Sequence, residues 1–277
     1  MSLIFKPENH EYISVGGENI QWTSVTSFIS QFKPHFDAKS QAAKSAKNRK
    51  SKWYGMSEEE ILNQWAAESS RATGLGTWYH NQRESDICEL ESIQKDGIDI
   101  PIYRPIQTDG IKYAPEQKLK EGIYPEHLVY LKSVGLCGQS DLVEVIKNKI
   151  NITDYKTNKE IKTAGYKNWE GKVAKMLPPV NHLEDCHLNH YALQLSLYMY
   201  MMLKHNLKLQ PGELKIHHIL FEEVGKDKFG YPITARDMVT GDPIVKDVVI
   251  YDLPYLKSEV VSMIHYKQEQ ERQKRAA

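Results

Sequence analysis

The chain has 277 residues, 40% of them hydrophobic and 26% charged, which suits one large globular domain with its own core. Its 36 basic residues balance 36 acidic ones, which argues against a nonspecific nucleic-acid coat but leaves room for a local basic groove. Three scattered cysteines (Cys88, Cys137, Cys186) provide no disulfide framework, zinc ribbon or iron–sulfur cluster, so a reducing, cytoplasmic setting is expected. With no apolar run of about 18 residues and no basic-then-apolar start, neither a membrane span nor secretion is expected.

One domain over 1–277 is expected. About 1–110 reads as a mostly helical part, about 111–265 as the sheet-containing core, and 267–277 as a charged, fraying tail. Leu3–Phe5 and Glu11–Val15 read as short strands with Gly16 and Gly17 as a turn. The hydroxyl-rich stretch from Thr23 predicts a helix start, where Ser24 and Thr26 cap backbone N–H groups or hold a phosphate. Lys39–Lys52 carries Lys44, Lys47, Arg49 and Lys50 without an acid. It is either a solvated face or a DNA-binding surface.

Ser57 with Glu60 forms a capping box that opens a helix. Gly74 and Gly76 read as a break between two helices, because the Gly-x-Gly has neither a third glycine nor a preceding strand to make a dinucleotide site. The second helix places Thr77, His80 and Glu84 on one face. Three prolines make 96–117 a loop. Tyr124–Val134 reads as a strand leading into a hairpin, and Glu126 on it faces either the site or, more simply, solvent.

Two short apolar runs follow, Gln139–Ile146 and Ile150–Thr157, on either side of Lys147 and Asn148. A two-residue turn there sets Ile146 opposite Lys149, and counting back sets Asp141 opposite Asp154. Alternation puts Asp154 and Lys156 on one face and Tyr155 on the other. Two carboxylates and an ammonium then meet at one spot, an arrangement that can hold a divalent cation beside a phosphate. The simpler alternative is a surface cross-strand ion pair.

The lysines of 158–180, Lys159 among them, form a second basic rim. Leu183–His205 reads as a helix whose Leu193, Leu197, Tyr200 and Met201 face the core. Gln194 and Tyr198, four apart, point the same way. Gln194 is placed to bond Lys156 or the substrate. Strands at Leu214–Glu222 and Val245–Tyr251 and a helix at Leu253–Tyr266 complete the chain.

Gly76-x-x-x-His80, Gly138-x-x-Asp141, Asp154-Tyr155-Lys156-Thr157 and Gln194-x-x-x-Tyr198, in that order and over roughly 70–205, resemble the RecB-like branch of the PD-(D/E)XK nucleases. That branch includes the nuclease domain of RecB, the mitochondrial genome-maintenance exonuclease and many phage exonucleases. The resemblance implies an α/β fold, a restriction-endonuclease-like core whose mixed central sheet is flanked by helices, with a helical N-terminal elaboration. It implies that His80, Asp141, Asp154 and the Tyr155 carbonyl hold Mg2+, with Mn2+ also supporting activity. Lys156 is then the catalytic lysine, Gln194 and Tyr198 its helical supports, and Thr157 and Glu84 their neighbours.

The implied activity is metal-dependent hydrolysis of DNA phosphodiester bonds, by an exonuclease on linear DNA with a free end. Its implied context is recombination, repair or replication, in a bacterial host's cytoplasm for a phage protein. The chain departs from some relatives in lacking a cluster-forming cysteine set. It also has no helicase motif, so a helicase, recombinase or single-strand-binding partner, or a single-stranded substrate, is implied. An endonuclease of the same fold and a non-catalytic DNA-end-binding subunit are the alternatives. The residues leave open whether Lys156 acts as a base or as a charge, and whether one metal or two are held.

Overall fold

The computed structural model describes residues 3–17 and 19–276, with backbone alone for 274–276. A hairpin of β1 (Leu3–Lys6) and β2 (Glu11–Ser14) opens the chain. β3 (Thr23–Ser24) runs into α1 (Val25–Ser30), and the Ser24 side chain accepts from the Ser27 amide as its N-cap. The basic run forms α2 (Ala38–Lys47).

α3 (Glu58–Cys88) starts at the predicted capping box. It then runs unbroken for 31 residues through Gly74 and Gly76, where the sequence predicts a break. A glycine inside a helix costs only about 1 kcal/mol relative to alanine, which packing can offset. At Gly76 the packing is direct, because an added Cβ would lie 3.2 Å from Thr157 Oγ1. The glycine lets the helix approach the end of a strand rather than end itself.

The predicted proline-broken loop is two hairpins, β4 (Ser92–Lys95) with β5 (Ile98–Pro101) and β6 (Ile106–Thr108) with β7 (Ile111–Tyr113). Asp96–Gly97 and Asp109–Gly110 make their two-residue turns, with positive φ at all four residues. That combination suits Asp-Gly. The N-terminal part carries the short strands β1–β6 beside the helices α1–α3.

The central sheet begins with β8 (Gly122–Leu131), which pairs antiparallel with β9 (Leu136–Ile146). β9 turns at Lys147 and Asn148, both at positive φ, into β10 (Lys149–Lys156). Ile146 pairs with Lys149 as counted from the sequence. A long polar loop leads to α4 (His187–His205), which starts four residues later than predicted because Leu183 is held in a turn by the Val180 carbonyl. α4 provides the crossover that lets β11 (Gln210–Phe221) run parallel to β10. A separate hairpin, β12 (Glu223–Lys226) with β13 (Pro232–Thr234), precedes β14 (Val245–Leu253), and α5 (Lys257–Ala276) ends the fold. The predicted fraying tail is helical up to Ala276; Ala277 lies outside the described residues.

The strand order is β14-β11-β10-β9-β3, with β8 also on β9, and both parallel and antiparallel pairs occur. The protein is thus a mixed α/β fold with a mixed central sheet and helices. Ile150 and Ile152 of β10, Leu193 and Leu197 of α4, Phe28 of α1 and Met263 of α5 share one core. Each such side chain contributes about 1.5–3 kcal/mol by leaving water. A smaller cluster joins Tyr155 and Ile219 to Tyr79 and Trp78 of α3. Neighbouring β10 residues therefore look to different helices, Asp154 towards α4 and Tyr155 towards α3. Among the described residues no helix is long and apolar enough to cross a membrane.

Candidate metal centre

The β9–β10 ladder ends at Leu142 and Thr153. Below that pair β9 takes β3 as its neighbour at Leu136 and Cys137, while β10 continues beside β11. The sheet forks, and Asp141 and Asp154 are the first opposed residues in the mouth of the fork. Across β9, the ladder with β8 steps from Pro125–Leu142 to His127–Ser140, over Glu126 and Asp141. Glu126, Asp141 and Asp154 therefore occupy one row across three strands.

Glu126 does not face solvent as the sequence suggests; its side chain is only 11% exposed. Its φ of +48° lies in the left-handed region, which costs a non-glycine residue about 1–3 kcal/mol. This backbone twist accompanies an inward carboxylate, bonded by Gln139 Nε2 and lying 3.9 Å from Lys112 Nζ. Sequence reasoning missed Gln139 and Lys112 as site residues, and set Glu126 aside in favour of solvent exposure.

α3 delivers His80 to the same spot. Its Nδ1 is 3.5 Å from Asp141 Oδ2 and 3.6 Å from Glu126 Oε1, and its Nε2 is 3.2 Å from the Tyr155 carbonyl oxygen. Asp141 Oδ2 also accepts from the Tyr155 amide at 2.7 Å. One ligand atom each from His80, Glu126 and Asp141 lies within 4.8 Å of the others. The Tyr155 carbonyl, expected to be a metal ligand, is here engaged with His80.

Asp154, also expected among the ligands, stands outside that trio. It is 1% exposed, its Oδ1 accepts from Gln194 Nε2 at 3.1 Å, and its Oδ2 touches the Lys156 ammonium. Lys156, two residues further along the same strand and on the same face, is its ion-pair partner. Gln194 therefore bonds Asp154, not Lys156. The Lys156 ammonium lies 5.1 Å from the centre of the Tyr191 ring. Tyr198 is buried one helical turn below Gln194, and Gly138 leaves the space for its ring, since an added Cβ would lie 2.6 Å from Tyr198 Cε1.

The charges are strongly coupled. Burial pulls the His80 pKa down, but Asp141, Glu126 and Asp154 outweigh it and hold it up at about 9. Burial and the neighbouring Asp154 push Asp141 up to about 8. Burial also opposes the charge on Lys156, yet Asp154 and Asp141 raise it to about 12. These neighbours favour the charged form of the lysine.

The remaining predicted residues lie around or away from the fork. Glu84 bonds Lys112 at 2.9 and 3.0 Å and so touches the site only through Lys112. Thr157 lies against Gly76. Ser24 is occupied with Ser27 and Thr26 and acts as a cap. Lys44, Lys47, Arg49 and Lys50 are exposed, but α2 packs through Ala42 near Ile61, about 28 Å along α3 from His80 at 1.5 Å per residue. The structure does not bring them to the fork. Lys159 is exposed three residues beyond Lys156 and, with Thr157, lines a cleft between α3 and β11.

A hard divalent cation fits this donor set. Imidazole and two carboxylates converge there. Such a cation favours the deprotonated carboxylates and neutral imidazole that now hold protons against one another. No protein-family model matches this sequence, and no curated protein matches it.

Proposed function

We propose that the chain is a metal-dependent deoxyribonuclease of the PD-(D/E)XK type and RecB-like branch, acting as an exonuclease on linear DNA. The observation that carries this reading is the convergence of His80, Glu126 and Asp141 at the fork with Asp154 and Lys156 beside them. His80, Glu126 and Asp141 would hold Mg2+ or Mn2+, the imidazole favouring the softer Mn2+ and the carboxylates suiting both. When bound, the cation would supply Lewis-acid polarisation of a phosphoryl oxygen and bring the pKa of a bound water down towards neutrality.

The chain's own residues do the rest. Lys156, held charged by Asp154, offers N–H donors to the oxygens on which negative charge grows. Asp154 fixes that ammonium in direction, and Gln194 fixes Asp154. Buried Tyr198 and the Gly138 gap set the distance between α4 and β9. His80 comes from a different element, so α3 must sit correctly before the trio is complete. The exonuclease assignment rests on the motif resemblance, as does a role in recombination, repair or replication with a recombinase, helicase or single-strand-binding partner.

The test is incubation with end-labelled linear single- and double-stranded DNA and a closed circle, in Mg2+, Mn2+ or EDTA, with Lys156→Ala alongside. Metal-dependent loss of linear DNA, intact circles and an inactive variant support the reading. Cut circles point to an endonuclease. DNA bound equally by both proteins without cleavage points to an end-binding subunit, and the absence of both binding and cleavage overturns the nuclease reading.

A further inference from the structure

The segment between β10 and α4 carries two large side chains that the core does not use. Trp169 is 91% exposed and Tyr166 is 77% exposed. They are not on a loose strand of chain. Ala174 donates to the Tyr166 carbonyl at 2.8 Å and Asn168 to the Lys172 carbonyl at 2.9 Å, closing a small hairpin. The Asn168 side chain accepts from the amides of Glu170 and Lys172 at 3.0 and 2.9 Å, fixing the turn that presents Trp169.

The base of this hairpin is tied to the body near the fork. Leu188 donates to the Lys162 carbonyl at 3.1 Å, Asp185 to the Ala174 carbonyl at 2.9 Å, and Gly165 to a Glu184 carboxylate oxygen at 2.9 Å. Tyr191, beside Lys156, donates to Asn158 Oδ1 at 2.8 Å at the start of the segment. The segment that carries the hairpin therefore leaves the candidate site at Asn158 and is tied back at the start of α4.

Its charge differs from that of the whole chain. Residues 159–175 hold five lysines against two glutamates, whereas the full sequence is neutral. Lys159, Lys162, Lys167 and Lys172 are all exposed. Lys172 lies 2.9 Å from Glu170 and Lys162 lies 3.9 Å from Glu160, pairs that water screens at such exposure. Exposed aromatic faces amid surplus lysines match a polyanion whose bases are unstacked. A duplex hides its base faces and would use only the lysines.

We infer that the 165–174 hairpin is a base-stacking platform that receives single-stranded DNA at the edge of the site, through Trp169 and Tyr166. This rests on the nuclease reading for the kind of polymer and adds its strand state. Each aromatic stacks with one base, and the lysines follow the phosphates.

The test measures anisotropy of a labelled oligothymidylate and of a labelled duplex in EDTA, so that binding is read without cleavage. Trp169→Ala and Tyr166→Ala are each expected to weaken single-strand binding about tenfold and to leave duplex binding within about twofold. Trp169→Phe should restore most of the loss. Lys167→Gln with Lys172→Gln should reduce the slope of log affinity against log salt by about 1.4. Far-ultraviolet circular dichroism checks that each variant is folded.

Unchanged single-strand binding in the folded aromatic variants overturns the inference, and so does an equal loss for duplex. Failure of the wild type to bind single strands overturns it as well. If the wild type still cleaves linear DNA in either case, the stacking platform alone fails. If it neither binds nor cleaves, the nuclease reading fails with it. A second protein that binds the wild type but not Trp169→Ala, with single-strand binding intact, would make the hairpin a protein-docking element instead.

Discussion

Gln194 donates through Nε2 to Asp154 Oδ1 at 3.1 Å, bracing the carboxylate that pairs with Lys156. The other oxygen meets the Lys156 ammonium in an ion pair. Removing the amide leaves a carboxylate that is 1% exposed with one partner instead of two. Gln194→Ala should therefore lower stability by about 1–3 kcal/mol, read by urea unfolding. Cleavage should fall about 10–100-fold through misorientation of Lys156, while DNA affinity in EDTA holds. Gln194→Glu should lose more, since it sets a third acid against Asp154. Full activity in both variants would show that Asp154 needs no support.

Glu126 is the ligand candidate that makes the trio complete, and Gln is its nearest neutral shape. Wild-type protein at about 100 times the Mn2+ dissociation constant should gain about 2.7 kcal/mol of stability. Glu126→Gln should lose most of that gain in a thermal-shift titration, and about 100-fold or more of its cleavage rate. Glu84→Gln makes a useful contrast, because Glu84 reaches the site only through Lys112. It should keep most of the Mn2+ gain. Equal behaviour of the two variants would remove Glu126 from the ligand set.

The difference between Asp141 and Glu126 explains how much of the site was legible. A two-residue turn fixes register, so Asp141 could be counted onto Asp154 from Lys147 and Asn148 alone. The connection between β8 and β9 is a 3-10 turn at Lys132–Val134 closed by Gly135, whose length does not fix register in the same way. The inward turn of Glu126 further depends on a backbone angle of +48° that no alternation pattern predicts. The α4 motif was legible because residues four apart share a helix face. The course of α3 was not, because Gly76 answers to Thr157, a residue 81 positions away. The hairpins of 92–113 did carry a local signal, Asp-Gly at both turns, which the three prolines obscured.

Gly74 and Gly76 lie in the same helix and should respond differently to the same substitution. A Cβ at Gly74 meets nothing within 4 Å, so Gly74→Ala should raise stability by about 0.5–1 kcal/mol through helix propensity. At Gly76 the contact with Thr157 Oγ1 offsets that gain, and Gly76→Ala should be nearly neutral. Gly76→Leu should push α3 from the end of β10. His80 lies one turn further along, so cleavage should fall more than stability does. Chemical denaturation and single-turnover kinetics on the three variants separate these effects. A stabilising Gly76→Leu would mean that α3 does not depend on this approach.

Gly138 and Tyr198 should be coupled in the same sense. A methyl group at Gly138 would lie 2.6 Å from a ring carbon and 3.0 Å from the hydroxyl of Tyr198, within a packed interior. Gly138→Ala should cost about 1–3 kcal/mol by overpacking. Tyr198→Phe should relieve little of this, because the closest clash is with the ring itself. Tyr198→Leu, which costs roughly 2 kcal/mol or more alone through the cavity it leaves, should take up the added methyl. The double variant should then be more stable than the sum of its parts by about 0.5–3 kcal/mol. Cleavage should follow the same cycle, since Asp141 lies three residues beyond Gly138 on the strand that the ring supports. Additive losses would mean that Gly138 serves the backbone of β9 alone, and that Tyr198 has no part in placing Asp141.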